Sequence, residues 1–139
     1  MKLSIQANDL DAIAAAAAAA FPEECCGILV GERDGDAVSI SRIVASANVA
    51  DRPESWFEVD PTTLFQAHKG ARAAGETVIG HYHSHPRGAA VPSAHDLARA
   101  YGEGEIWLIV PAHAGGAGTA RAHLFEGGVF HEMEIAPGP

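Results

Sequence analysis

The sequence predicts a single mixed α/β domain, spanning 1–139: one mixed β-sheet of about six strands flanked by two long helices, with a short third helix. Three observations lead there. Short runs of β-branched and aromatic residues recur along the chain, separated by Gly, Pro and Asp turn residues. Two longer segments, near 8–21 and 60–75, carry apolar residues at helical spacing between start and stop signals. The chain has 139 residues, 47% of them hydrophobic, which is enough to bury one core, and it shows no repeat and no linker.

Taken in order, Lys2 to Gln6 reads as a short strand. Asn8 or Asp9 caps a helix to about Phe21, with Leu10, Ile13, Ala17 and Phe21 along one stripe. The seven alanines from Ala14 to Ala20 give that helix high propensity and no chemistry of their own. Pro22 stops it. Cys26 to Gly31 is a continuous apolar run, as in a central strand buried on both faces. Asp34-Gly35 marks a hairpin turn, and Ala37 to Ala45 alternates as the partner strand with Val38 and Ile40 inward. Ser46 to Glu54 is a polar loop, and Ser55 to Val59 reads as a short strand carrying Trp56 and Phe57.

Asp60 and Pro61 then stand at the N-cap and first position of a second helix, with Leu64, Phe65 and His68 or Ala71 inward and Gly75 as its C-cap. Thr77 to His85 has the composition of a strand and is broken by Pro86. Ser93 caps a short helix to about Tyr101. Glu105 to Val110 is another strand, and Ala112 to Gly118 a Gly-rich connector without phosphate-binding spacing. Ala120 to Phe125 and Val129 to Ile135 flank Gly127-Gly128 as a hairpin.

Charge narrows the function. Nine Lys+Arg against eighteen Asp+Glu give a formal net charge of −9. Nucleic-acid binding needs a basic footprint, and so does attachment to an anionic membrane surface. The only cysteines, Cys25 and Cys26, are neighbours, and two adjacent cysteines build no disulfide framework. The expected setting is reducing and cytoplasmic. Lys2 and the apolar run Ala12 to Phe21 distantly resemble a signal peptide, but Asn8, Asp9 and Asp11 interrupt the approach.

The stretch with chemistry runs from Val78 to Asp96. Side chains two apart on a strand share a face, so His81, His83 and His85 form one row. Asp96 stands in the first turn of the next helix. Two or three imidazoles and a carboxylate therefore meet at a strand end, and both are zinc ligands. Each feature has a plain alternative: a half-exposed sheet surface for the histidines, and a capping box for Ser93 and Asp96. Together they are better explained by a metal, because three clustered imidazoles repel when protonated.

The run His83-Ser84-His85-Pro86, followed by Ser93-Ala94-His95-Asp96 with seven residues from Pro86 through Pro92, resembles the motif of the JAMM (MPN-domain) metalloproteases. Pro22-Glu23-Glu24-Cys25-Cys26-Gly27 is similar to the Pro-x-Glu-x-Cys-Gly element of their small prokaryotic members. The resemblance covers nearly the whole chain and no motif position departs from it. It implies the JAMM/MPN-like (cytidine deaminase-like) fold. It implies zinc (Zn2+) held by His83, His85 and Asp96, with Glu24 as catalytic base and Ser93 as hydrogen-bond donor to the oxyanion. His81 is then a packing or supporting residue, and His68, His95, His113, His123 and His131 carry no motif role.

The resemblance further implies hydrolysis of a peptide or isopeptide bond after the C-terminal Gly-Gly of a ubiquitin-like or sulfur-carrier protein. Such a narrow tail suits strand addition to a sheet edge. Glu24 and His83 stand 59 positions apart, which favours the small type without large insertions. An alternative is an MPN-type scaffold that binds partners without turnover. A zinc deaminase is set aside, because Cys25-Cys26 lacks the Pro-Cys-x-x-Cys spacing.

Overall fold

In the computed structural model, which describes residues 1–138, the elements run β1 (Lys2–Gln6), α1 (Ala7–Ala20), β2 (Cys26–Asp34), β3 (Ala37–Ser46), α2 (Pro61–Ala73), β4 (Thr77–His85), α3 (Ala94–Arg99), β5 (Ile106–His113), β6 (Gly116–Ala117), β7 (Arg121–Glu126) and β8 (Val129–Gly138). The sheet is mixed, as expected, but it has eight strands rather than about six. Their order is β4-β2-β3-β1-β8-β7-β5-β6, and β4 also pairs with β5. That extra pairing closes seven strands into a ring, with β6 a two-residue flap on β5 inside the stretch expected to be a plain connector. The pairs β1–β3, β1–β8 and β4–β5 are parallel. The β4–β5 crossover contains α3.

Closure sorts the side chains into an inner and an outer set. The main core draws on all seven strands, including Leu3, Leu29, Tyr82 and Leu108, and α1 adds Ile13 and Ala17. Leu10 and Phe21 pack against it from the same stripe. On the outer face a smaller cluster joins Ile28 and Val30 of β2 to Ala67 and Ala71 of α2. Leu64 and Phe65, expected to point inward, are exposed instead, and so is His68. The small Ala67 and Ala71 let α2 approach the strand closely. Ala71, the alternative to His68, is buried as expected, whereas a reading weighted by side-chain size overlooks Ala67.

The ends of the helices follow the local chemistry with two exceptions. Asp60 accepts from the Thr62 N–H at 3.1 Å and Pro61 opens α2, while Gly75 follows it at φ +74°. By contrast, α1 starts at Ala7 directly from β1, with Gln6 as an N-cap that makes no side-chain bond, so neither Asn8 nor Asp9 caps it. And α3 stops at Arg99, before Tyr101. The expected strand Ser55–Val59 is not one. Among the described residues its only ladder contact is an isolated bridge between Asn48 and Val59, and the aromatic residues there pack across the outer face instead.

The register of β4 places the candidate residues. Leu29 faces Gly80 and Val30 faces Val78, so Ile79 is the extra residue of a bulge. Beyond it the alternation is regular, with Ile28 opposite His81, Gly27 opposite Tyr82 and Cys26 opposite His83. The three histidines thus share the outer face with Ile28, beyond the end of α2. Inside, a Cβ on Gly27 would lie 2.2 Å from the Tyr82 ring, so only glycine fits there. From Gly80 to His83, β4 is paired with β2 on one side and β5 on the other, so a peptide cannot add a strand to that part of it. No helix among the described residues is long and apolar enough to cross a membrane.

Candidate metal centre and active site

β4 delivers His83 and His85, and α3 delivers Asp96. His83 Nε2 lies 3.0 Å from His85 Nε2, while Asp96 Oδ2 is 3.0 Å from His85 Nε2 and 3.5 Å from His83 Nε2. Two nitrogens and one oxygen thus converge on one point, and all three side chains are buried. A tetrahedral ion with bonds of about 2.0–2.1 Å sets its ligand atoms roughly 3.3 Å apart. The observed triangle fits such an ion, as does the donor set.

The surroundings hold these donors in place. His85 Nδ1–H donates to the Ala89 carbonyl at 2.9 Å, leaving Nε2 as the free donor to a metal. His123, on β7, donates through Nε2 to the Ala90 carbonyl at 2.9 Å and pins the same loop. Asp96 Oδ2 accepts from the Ser93 N–H at 2.9 Å, and Ser93 Oγ accepts from the Asp96 N–H at 3.0 Å. The capping box is therefore present and the metal-facing carboxylate belongs to it. Phe57 stacks on His83, with ring centroids 4.3 Å apart and planes 18° from parallel.

Electrostatics separates the roles. Burial pushes the His83 imidazole down to about 4, against the pull of Asp96, so it is neutral at pH 7. Burial also disfavours charge on His85, but Asp96, the Ala89 carbonyl and Glu24 outweigh it and raise its pKa. For Asp96 the burial penalty is overcome by hydrogen bonds from both imidazoles and the Ser93 N–H, and the carboxyl sits below the usual range. Glu24 is also buried, and desolvation lifts it to about 7, with His85 opposing and Asp96 assisting. Its Oε1 has no hydrogen-bond partner among the described residues. Glu23, one residue earlier, is exposed.

Four further residues had no role assigned from the sequence. Ser84 is fully buried between the two metal-facing histidines. Asn48, Phe57 and His123 each reach the site from distant sequence. His81 donates through Nδ1 to Glu105 Oε1 at 2.7 Å and packs edge-on to Trp107, a supporting position rather than one in the metal triangle. His95 is exposed, with its ring 5.7 Å from that of Trp56. Cys26 is buried, and burial pushes its thiol up to about 12.

The comparisons with known proteins agree with this geometry. Residues 6–123 match the family described as prokaryotic homologs of the JAB domain. The chain is 34% identical over 139 residues to a desampylase of Haloferax volcanii, covering 97% of this chain and 96% of that protein. It is 33% identical over 79 residues to a probable TtuB-protein conjugate cleaving protease of Thermus thermophilus, covering 57% of this chain and 50% of that one. A solution structure of a Desulfitobacterium hafniense protein superposes with a TM-score of 0.83 at 29% identity, covering 99% of this chain and 92% of that one. With its His-His-Asp triangle on the outer face of a closed mixed sheet, the chain belongs to the prokaryotic JAB (MPN-domain) family of metalloproteases.

Proposed function

We propose that this chain is a zinc-dependent isopeptidase that cleaves the amide bond after the C-terminal Gly-Gly of a ubiquitin-like or sulfur-carrier protein. The observation that carries the reading is the convergence of His83, His85 and Asp96 beside the buried carboxylate of Glu24. The likeness to proteins named for desampylation and TtuB-conjugate cleavage supports the substrate class. The two free, unbonded cysteines support a reducing, cytoplasmic setting.

His83, His85 and Asp96 would hold the zinc. When bound, zinc supplies Lewis acidity, lowering the pKa of water and polarising a scissile carbonyl. Glu24 does the proton work. Its partnerless Oε1 accepts the proton of the attacking water and passes it to the departing amine. Desolvation tunes it toward neutrality, where an acid–base group is most useful. Ser93 uses a lone pair for the Asp96 N–H, which leaves its hydroxyl proton to donate to the developing oxyanion. Such a donor is worth about 3 kcal/mol, against about 1 kcal/mol for the cap alone.

The test is incubation of the zinc-loaded chain with a Gly-Gly-linked conjugate of a ubiquitin-like protein, read by intact mass. Release of the carrier with a free Gly-Gly terminus is the expected result. Zinc and conjugate binding without release would make the chain an MPN-type scaffold. That outcome would count against Glu24 as the base.

A further inference from the structure

We infer that Asn48 is a positioning residue that sets Glu24 against the metal centre. The inference rests on Glu24 being the base proposed above. Glu24 belongs to no helix or strand. Its backbone is held on both sides by the loop between β3 and α2: its N–H donates to the Pro53 carbonyl at 2.7 Å, and its own carbonyl accepts from Asn48 Nδ2 at 2.9 Å.

The Asn48 amide is fully engaged. Nδ2 also donates to the Trp56 carbonyl at 3.1 Å, while Oδ1 accepts from the Ala50 N–H at 3.1 Å and the Glu58 N–H at 3.0 Å. Two donors and two acceptor sites are the whole capacity of a carboxamide. The orientation is fixed as well, since a flipped amide would set donors against N–H groups and oxygen against carbonyls. Aspartate at this place would turn an acceptor toward two carbonyls.

One side chain therefore closes the loop on itself and anchors the base to it. The same loop carries Phe57, which stacks on His83. Asn48 thus ties the backbone of Glu24 to the segment that covers a metal-facing histidine. Small displacements of a catalytic group are costly: about 1 Å can lower the rate about 100-fold.

The experiment compares Asn48→Ala and Asn48→Asp in the full chain, each alone and combined with Glu24→Gln, with zinc content, kcat and KM measured for every variant. Asn48→Ala is expected to lower kcat by about 10- to 100-fold at unchanged zinc content and KM. In the Glu24→Gln background it should cost nothing further, because the residue it positions no longer acts. An equal fold-loss in both backgrounds would show a general structural role and overturn the inference. So would full kcat in Asn48→Ala beside an inactive Glu24→Gln. If Asn48→Ala does not fold, Asn48→Asp, which keeps the volume and Oδ1, is read by the same criteria. Failure of both to fold would assign Asn48 to the fold and overturn the inference. Full activity of Glu24→Gln alone would overturn the base assignment first, and this inference with it.

Discussion

Ser84 and Cys25 exchange two hydrogen bonds across the active site: the Cys25 N–H donates to Ser84 Oγ at 2.8 Å, and the Ser84 N–H donates to the Cys25 carbonyl at 3.1 Å. Ser84 stands between the two metal-facing histidines, and Cys25 follows Glu24. The strand that carries His83 and His85 and the segment that carries Glu24 are thus stitched together one residue away from each of these candidate groups.

The metal triangle predicts one zinc per chain. His83→Ala and Asp96→Ala are each expected to abolish tight zinc binding. His81→Ala should leave it largely intact, since His81 spends Nδ1 on Glu105. Metal analysis of the purified variants checks this. Zinc lost with His81→Ala but kept with Asp96→Ala would mean that the triangle has been drawn with the wrong residue.

Glu24→Gln keeps the size of the base and removes its proton acceptor. Its turnover should fall by about 10² to 10⁴, with zinc content and folding unchanged. Glu23→Gln is the control, because Glu23 is exposed and should tolerate the change. Steady-state rates of the two variants decide the matter: a dead Glu23→Gln beside an active Glu24→Gln would shift the base by one residue.

The cysteine and glycine that follow are structural. Cys26→Ala should cost stability and spare turnover, and the thiol should resist alkylation through pH 9 because burial keeps it protonated. Gly27→Ala should be far more damaging, since the new methyl meets the Tyr82 ring. Denaturant midpoints rank the two; an inactive Cys26→Ala of normal stability would bring the thiol into the reaction.

The metal-free chain should show a distinctive pH response. His83 has a folded pKa of about 4 against an ordinary 6.5, so its contribution is complete above 6.5 and is lost as pH falls through that window. Glu24 runs the other way: raised from 4.5 to about 7, it stabilises at low pH and that contribution is lost as pH rises. Between about pH 4.5 and 6.5 the two oppose each other. Glu24→Gln removes the opposition, so its metal-free stability should climb across this range more steeply than that of the parent chain. Urea midpoints at pH 4.5 and 6.5 in chelator test it, and a parallel slope in both proteins would refute the assignment.

What could be read from sequence was what local chemistry decides. The parity of His81, His83 and His85 followed from a strand ended by Pro86, and the Ser93–Asp96 cap from a three-residue spacing. What could not be read depends on partners distant in the chain. Trp56 and Phe57 have strand propensity, yet Phe57 stacks on the His83 ring instead of joining a ladder. Leu64 and Phe65 are large and apolar, but the close approach of α2 favours Ala67 and Ala71. Asn48 looked like one more polar loop residue, because nothing in its neighbours announces that Glu24, 24 positions away, accepts its hydrogen bond.

The capping box around Asp96 has a consequence for how the centre fills and empties. α3 spans only six residues, too short to persist by itself, and its first turn is held by the carboxylate that also faces the two imidazoles. Fraying of that turn would swing a ligand away, and a bound ion would resist the fraying. Ion exchange and local unfolding of α3 are then one event. Exchange of the amide hydrogens of Leu97 and Ala100, which donate to the Ser93 and Asp96 carbonyls, should then slow when the centre is filled.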